Sequence, residues 1–183
     1  MHPHTSIFIA TSLDGFISRT DGSIDWLNEA NRLIPPGEDC GYGEFWASID
    51  ALIIGRNTFE QVLSFERWPY EEKAVVVLSS RPLTIPEKLT ASVTASSETP
   101  EVLLDRLGAS GVKHVYVDGG VTIQRFLAAG LIDELTITII PILLGAGRPL
   151  FSTLEKEIRL CHVQTRIFDF GFVQSKYRVS SFS

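Results

Sequence analysis

The sequence predicts an α/β fold: one domain with a mixed, mostly parallel sheet, helices on both faces and an antiparallel hairpin near the C-terminal end. Three observations carry this. Short β-branched and apolar runs recur, at Ser6–Ser12 (SIFIATS), Ala51–Gly55 (ALIIG), Ala74–Leu78 (AVVVL) and Val115–Val117. Segments with helix signals lie between them, and such alternation implies parallel strands joined by helical crossovers. Towards the end the pattern changes to two runs of alternating character, which adds antiparallel strands at one edge.

The elements follow in order. Ser6–Ser12 reads as a buried strand. Leu13–Asp25 is turn-rich, with Asp14-Gly15 and Asp21-Gly22 as turn formers. Asp25 is expected to cap a short helix through Arg32, which Pro35-Pro36-Gly37 stops. Glu44–Ser48 reads as the end of another helix. Ala51–Gly55 is the next strand, and a helix from Asn57 or Thr58 runs to about Ser64. Ala74–Leu78 is a third strand, followed by Ser79-Ser80-Arg81-Pro82 and a loop with a weak strand near Ser92–Ala95. Thr99 is a good cap with Pro100 at the first helical position, and Gly108 or Gly111 ends that helix. Val115–Val117 enters Asp118-Gly119-Gly120, a helix covers Val121–Ala129, and Gly130 closes it. Ile132–Ile140 is a strand broken at Pro141. Glu157–Arg166 and Phe172–Val179 form the hairpin, with Gly171-Phe172 at its turn.

A chain of 183 residues suits one domain, and no repeat, low-complexity tract or linker divides residues 1–183. A hydrophobic content of 44% and a charged content of 21% are those of an ordinary globular protein. The net charge of −6 argues against nucleic acid or anionic membrane as the main partner, since both need a basic surface. It leaves room for a phosphorylated small molecule, which needs only local donors. The N-terminal stretch MHPHTSIFIATSLDG lacks the basic and long apolar regions of a signal peptide. Leu135–Leu144 is too short for a membrane span. A cytoplasmic location is therefore expected, with Cys40 and Cys161 reduced and no metal site.

Four polar patches follow predicted strand ends, the edge where open α/β sheets bind ligands. Gly55-Arg56-Asn57-Thr58 allows close backbone approach and offers a cation and a hydroxyl at a helix start, or is simply a strand end with a cap. Ser79-Ser80-Arg81 suits a phosphate monoester, and in a dinucleotide site it favours NADP over NAD. Asp118-Gly119-Gly120-Val121-Thr122 is not the usual glycine fingerprint, yet its glycines and the first helical N–H groups suit a pyrophosphate. In Ser12-Leu13-Asp14-Gly15, Asp14 is either a functional carboxylate or a turn former. Together the patches make nucleotide binding the leading reading.

The segments ATSLDGFIS, GRNTFE, VLSSR and VDGGVTIQRFLAAGLIDELTITIIPILLGAGRPLF occur in the order seen in the dihydrofolate reductase superfamily. From about Ser6 to Tyr177 the chain resembles the branch that contains the C-terminal reductase domain of bacterial riboflavin biosynthesis and small stand-alone proteins similar to it. The resemblance implies a single-domain three-layer dihydrofolate reductase-like fold and an NADPH-dependent reductase. It places Gly55, Arg56, Asn57 and Thr58 near the cofactor phosphates and Ser79, Ser80 and Arg81 around the adenosine 2′-phosphate. It makes Gly119, Gly120, Val121 and Thr122 the pyrophosphate turn, and puts Ala10 and Thr11 beside the nicotinamide. Leu13–Trp26 matches a flexible loop that closes over nicotinamide and substrate, with Trp26 as its substrate-side tryptophan.

The resemblance implies transfer of hydride to a small heterocycle, either a pyrimidine, as in reduction of 5-amino-6-(5-phosphoribosylamino)uracil, or a pterin. Asp14 is the carboxylate nearer the substrate in the riboflavin branch. Asp39, with Glu38 and Glu44 beside it, is the nearest equivalent of the pterin-binding carboxylate, its spacing disturbed by Pro35-Pro36-Gly37. Asp14, Asp39 and Glu44 are thus the catalytic candidates. The chain lacks a fused deaminase domain and its zinc motif. The alternative is an NADP-binding module without turnover, acting as a sensor or interaction protein. A homodimer is expected if the C-terminal hairpin or Thr136–Leu144 leaves an uncovered edge.

Overall fold

The structure is a computed structural model that describes residues 2–70 and 73–180. Its elements are β1 (His4–Ser12), β2 (Phe16–Ser18), α1 (Asp25–Asn31), α2 (Tyr42–Ser48), β3 (Ala51–Gly55), α3 (Arg56–Leu63), β4 (Ala74–Leu78), β5 (Val93–Ser96), α4 (Pro100–Ala109), β6 (His114–Asp118), α5 (Gly120–Ala128), β7 (Glu134–Ile140), β8 (Arg148–Pro149), β9 (Leu160–Ile167) and β10 (Val173–Val179). Ladder by ladder, eight of the strands run β5-β4-β3-β6-β1-β7-β10-β9. The α/β class with a mixed, mainly parallel sheet is as expected.

Internal contacts group the residues into two compact units. The first comprises Met1–Ser6 and Ser48–Ile132. Here β5, β4, β3, β6 and the start of β1 pair in parallel, with Ala51 level with Ala74 and with Val115. Leu52, Ile53 and Ile54 are fully buried, as a parallel strand with both faces covered requires. Phe59 of α3, Leu103 and Leu104 of α4, and Ile123 and Phe126 of α5 complete this core. Thr99 caps α4 by accepting the Val102 N–H, with Pro100 in the first turn. Gly108 lies inside α4, and Gly111, at φ +93°, takes the left-handed position after it.

The second unit comprises Ile7–Ala47 and Asp133–Ser183. Its core gathers Trp26, Cys40, Ile140, Phe168 and Phe172. β10 pairs antiparallel with both β7 and β9, and the hairpin turns at Gly171, whose φ is +98°. β9 is the end strand of the ladder order and is exposed along most of its length.

Two local expectations change. The turn-rich stretch after β1 contains β2, which pairs antiparallel with β8, while Leu13 N–H donates to Ile142 O and Leu150 N–H to Gly15 O. The turn-rich stretch is thus held along its base by backbone bonds to residues far along the chain. Asp25 is the first residue of α1, not its cap. Ile24 occupies the cap position with no side-chain bond, and the Asp25 carboxylate takes a forked pair of bonds from Arg19 at 2.7 and 2.9 Å. The helix expected to end with Glu44–Ser48 is α2, which does end at Ser48, and Asp39 fixes its beginning at Tyr42 by accepting the N–H groups of Gly41 and Gly43.

Candidate functional site

Two strand-to-helix turns stand side by side in the first unit. β3 and β6 are neighbours, with Ile54 level with Asp118, so the starts of α3 and α5 adjoin. Gly55 and Gly119 hold the two cap positions, and neither offers a side-chain cap. The first N–H groups of both helices are thus left for another acceptor. The two turns interlock. A Cβ on Gly55 would lie 2.8 Å from Thr122 Oγ1, and one on Gly119 would collide with Thr58 Oγ1. Gly119 also sits at φ +91°, where side chains are disfavoured. The space each glycine leaves is therefore filled by the other turn's threonine hydroxyl. Gly120 and Thr58 are partly exposed, Thr122 is buried, and Asn57 and Val121 are exposed. Adjoining helix starts with two hydroxyls between them have the chemistry that suits an anion.

One strand further out, β4 ends at Leu78 and the Ser79-Ser80-Arg81-Pro82 loop begins. Ser79 N–H donates to Ser96 O at 2.9 Å. Ser80 and Arg81 are exposed. Arg56 does not extend into solvent: its Nε donates to Ser79 Oγ at 3.0 Å and its Nη2 to Arg81 O at 2.8 Å.

The carboxylates separate sharply. Asp14 accepts from Ser12 Oγ at 2.6 Å, from Leu144 N–H at 3.1 Å and from Gly145 N–H at 2.8 Å. The Ser12 hydroxyl, helped by the Gly145 and Leu144 N–H groups, holds it below the usual carboxylate range against the opposing effect of desolvation. Asp39 is lowered in the same way by the Gly43 and Gly41 N–H groups. Both are built to stay ionised, which suits a clamp and a helix cap better than a proton donor. Glu44 lies exposed in the first turn of α2, and Glu38 pairs with Arg166 at 3.6 Å.

Asp118, which sequence reasoning treats only as part of the glycine turn, behaves differently. It sits deep at the end of β6 with only part of its surface reachable. Burial pushes its carboxyl up to about 6, against bonds from the Gly119 N–H and the Tyr116 side chain. The signal in the sequence is the period of two in His-Val-Tyr-Val-Asp, which puts Tyr116 and Asp118 on one face of a buried strand.

In the second unit Thr11 is buried, while Ala10 is partly exposed and packs on the core that contains Trp26. Trp26 is 4% exposed, and its indole N–H is buried without a hydrogen-bond partner among the described residues. Such an N–H is costly to leave unmatched and suits a water or ligand acceptor. Among the described residues no group of three or more His, Cys, Asp or Glu is placed to hold a metal ion, and no helix is long and apolar enough to cross a membrane.

The family model described as the RibD C-terminal domain matches residues 3–172. The chain belongs to this family. Among known proteins it is similar to Bacillus subtilis YwjB, 36% identical over 163 residues that cover 87% of this chain and 89% of that one. Among solved structures, a putative riboflavin biosynthesis protein from Shewanella sp. PV-4 is 38% identical with a TM-score of 0.90, covering 99% of this chain and all of that one. The diaminohydroxyphosphoribosylaminopyrimidine deaminase/5-amino-6-(5-phosphoribosylamino)uracil reductase of Thermotoga maritima shares the fold, at 16% identity and a TM-score of 0.75. This chain covers 98% of its own length there and 57% of the Thermotoga chain. The family and its riboflavin reductase-like members agree with the resemblance read from the sequence.

Proposed function

We propose that this RibD C-terminal domain protein is an NADPH-dependent reductase that passes hydride to a small heterocycle of the pyrimidine or pterin class. The observation that carries the reading is the pair of interlocked turns at the ends of β3 and β6, with Ser80 and Arg81 exposed at the end of the adjacent β4. The residues present fit the cofactor. Two uncapped helix starts and the hydroxyls of Thr58 and Thr122 match a pyrophosphate, with Gly55, Asn57, Gly119, Gly120 and Val121 lining its approach. Arg81 and Ser80 match a 2′-phosphate, and Ser79 positions them. Ala10 and Thr11 are assigned to the nicotinamide side and Trp26 to the substrate side by family resemblance. Residues 1–183 are taken as one reductase domain.

When bound, NADPH supplies the hydride. Reduction of a C=N bond also requires a proton on nitrogen. Asp14 and Asp39 are held ionised by their donors, and Asp118, though pushed up to about 6 by burial, lies at the glycine turn assigned to the pyrophosphate. A donor works best when its pKa lies near the working pH. A donor must also lie within reach of the atom it protonates. The reading therefore keeps Asp14, Asp39 and Glu44 as the substrate-side candidates, with an ordered water delivering the proton, and gives Asp14 the further task of fixing the Leu144-Gly145 turn. A homodimer across the exposed edge of β9 and a cytoplasmic location complete the proposal, and sedimentation velocity tests the first of these.

Thermal shift with NADPH and with NADH tests the cofactor assignment. NADPH is expected to raise the midpoint more. An equal or larger rise with NADH removes the role given to Ser80 and Arg81.

A further inference from the structure

We propose that Arg56 sets the preference for a 2′-phosphorylated dinucleotide as a positioning residue, shaping the Ser79–Pro82 loop so that Ser80 and Arg81 receive the phosphate. The inference rests on the cofactor reading above. It gives a different task to the arginine that family resemblance puts beside the phosphates.

Arg56 begins α3, yet its guanidinium reaches across to the end of neighbouring β4. Nε donates to Ser79 Oγ at 3.0 Å, and Nη2 donates to the carbonyls of Arg81, at 2.8 Å, and Pro82. Nη1 lies 3.3 Å from Glu60 Oε1, one helical turn on. A guanidinium has five N–H donors, and most are thus already matched by protein acceptors, with a carboxylate offsetting the charge. To bind phosphate, Arg56 would have to leave two backbone carbonyls and a hydroxyl.

The same contacts explain the loop. Ser79 Oγ donates to Arg81 O at 2.7 Å and accepts from Arg81 N–H at 3.3 Å, so it closes a tight turn with Arg56 Nε as a further partner. The Ser-Ser-Arg stretch therefore divides. Ser79 belongs to the knot, whereas Ser80 and Arg81 are exposed. A planar fork that meets two successive carbonyls and a hydroxyl is a geometry that lysine, a single point charge, does not reproduce.

The test is a set of variants, R56K, S79A, R81Q and R56K/R81Q, titrated with NADPH and with NADH, with amide hydrogen exchange over the Ser79–Pro82 loop. R81Q is expected to weaken NADPH binding by about ten- to a hundredfold and to leave NADH unchanged. R56K, though still cationic, should lose most of the same preference and speed exchange in the loop, and S79A should do so to a smaller degree. The double variant should bind NADPH about as R81Q does, because Arg56 acts through Arg81. The inference is overturned if R56K keeps the preference with loop exchange unchanged, or if the losses of R56K and R81Q multiply. A wild-type protein with no preference for NADPH overturns the cofactor reading instead, while loop exchange in R56K and S79A still reports whether Arg56 holds the turn.

Discussion

Gly119 and Thr58 occupy one space: the hydroxyl of Thr58 fills the volume that a Cβ on Gly119 would need, and Thr122 fills that of Gly55 in the same way. The two glycines are required by the neighbouring turn as well as by any ligand. They differ in one respect, since Gly119 has φ +91° and Gly55 has φ −86°. Gly119→Ala therefore combines overpacking with a disfavoured backbone and should destabilise by about 1–3 kcal/mol, a fall in Tm of roughly 3–10 °C. Gly55→Ala meets overpacking alone. Adding Thr122→Ala should restore most of the Gly55→Ala loss, whereas Thr58→Ala should restore only part of the Gly119→Ala loss. Thermal unfolding of the four single and two double variants checks this, and equal rescue in both pairs would remove the backbone argument.

Asp118 makes stability depend on pH in a defined direction. Its carboxyl titrates at about 6 in the folded protein, against 3.8 for an unperturbed aspartate. Between these values the folded state holds the proton and the unfolded state does not. The contribution of Asp118 is thus full below about pH 4 and is lost as pH rises through 6, by at most about 3 kcal/mol. Asp118→Asn has no such proton. The stability of wild type relative to Asp118→Asn should fall between pH 4 and 6.5, and a flat difference would show that Asp118 ionises normally.

Asp14 works in the opposite sense. Its lowered pKa means that the bonds to Leu144 and Gly145 are present throughout the neutral range and weaken only as pH falls below the usual aspartate value. Asp14→Ala should speed amide exchange at Leu144 and Gly145 at neutral pH. Protection that is unchanged would deny that Asp14 holds this turn.

The cysteines give a simple check of burial. Cys161 is exposed, while Cys40 is 7% exposed and its thiol is pushed up by burial. In the native protein a thiol reagent should label Cys161 quickly and Cys40 only on unfolding. Equal rates at both would contradict the packing of Cys40 in the core with Trp26 and Phe172.

Much of this was legible because parallel strands buried on both faces read as unbroken apolar runs. Ala51–Gly55 and Ala74–Leu78 have the bounds expected for them. The strands β2 and β8, with three and two residues, are too short for any period to register, and their pairing joins Phe16 to Pro149. No local pattern reports so distant a partner. The glycine turns were visible as turns, but their interlocking with Thr58 and Thr122 depends on β3 and β6 being adjacent. The carboxylates were visible only as residue types. Whether each gains donors, as Asp14 and Asp39 do, or loses water, as Asp118 does, is decided by packing.

The central claim is that this chain reduces a substrate with NADPH, and deuterium transfer tests it most directly. Purified protein is incubated with NADPH deuterated at the nicotinamide C4 position, together with pyrimidine and pterin acceptors, and the products are examined by mass spectrometry. The account predicts deuterium at the reduced carbon of at least one product. Tight NADPH binding with no deuterium transferred to any acceptor would contradict it and leave a nucleotide-binding module without turnover.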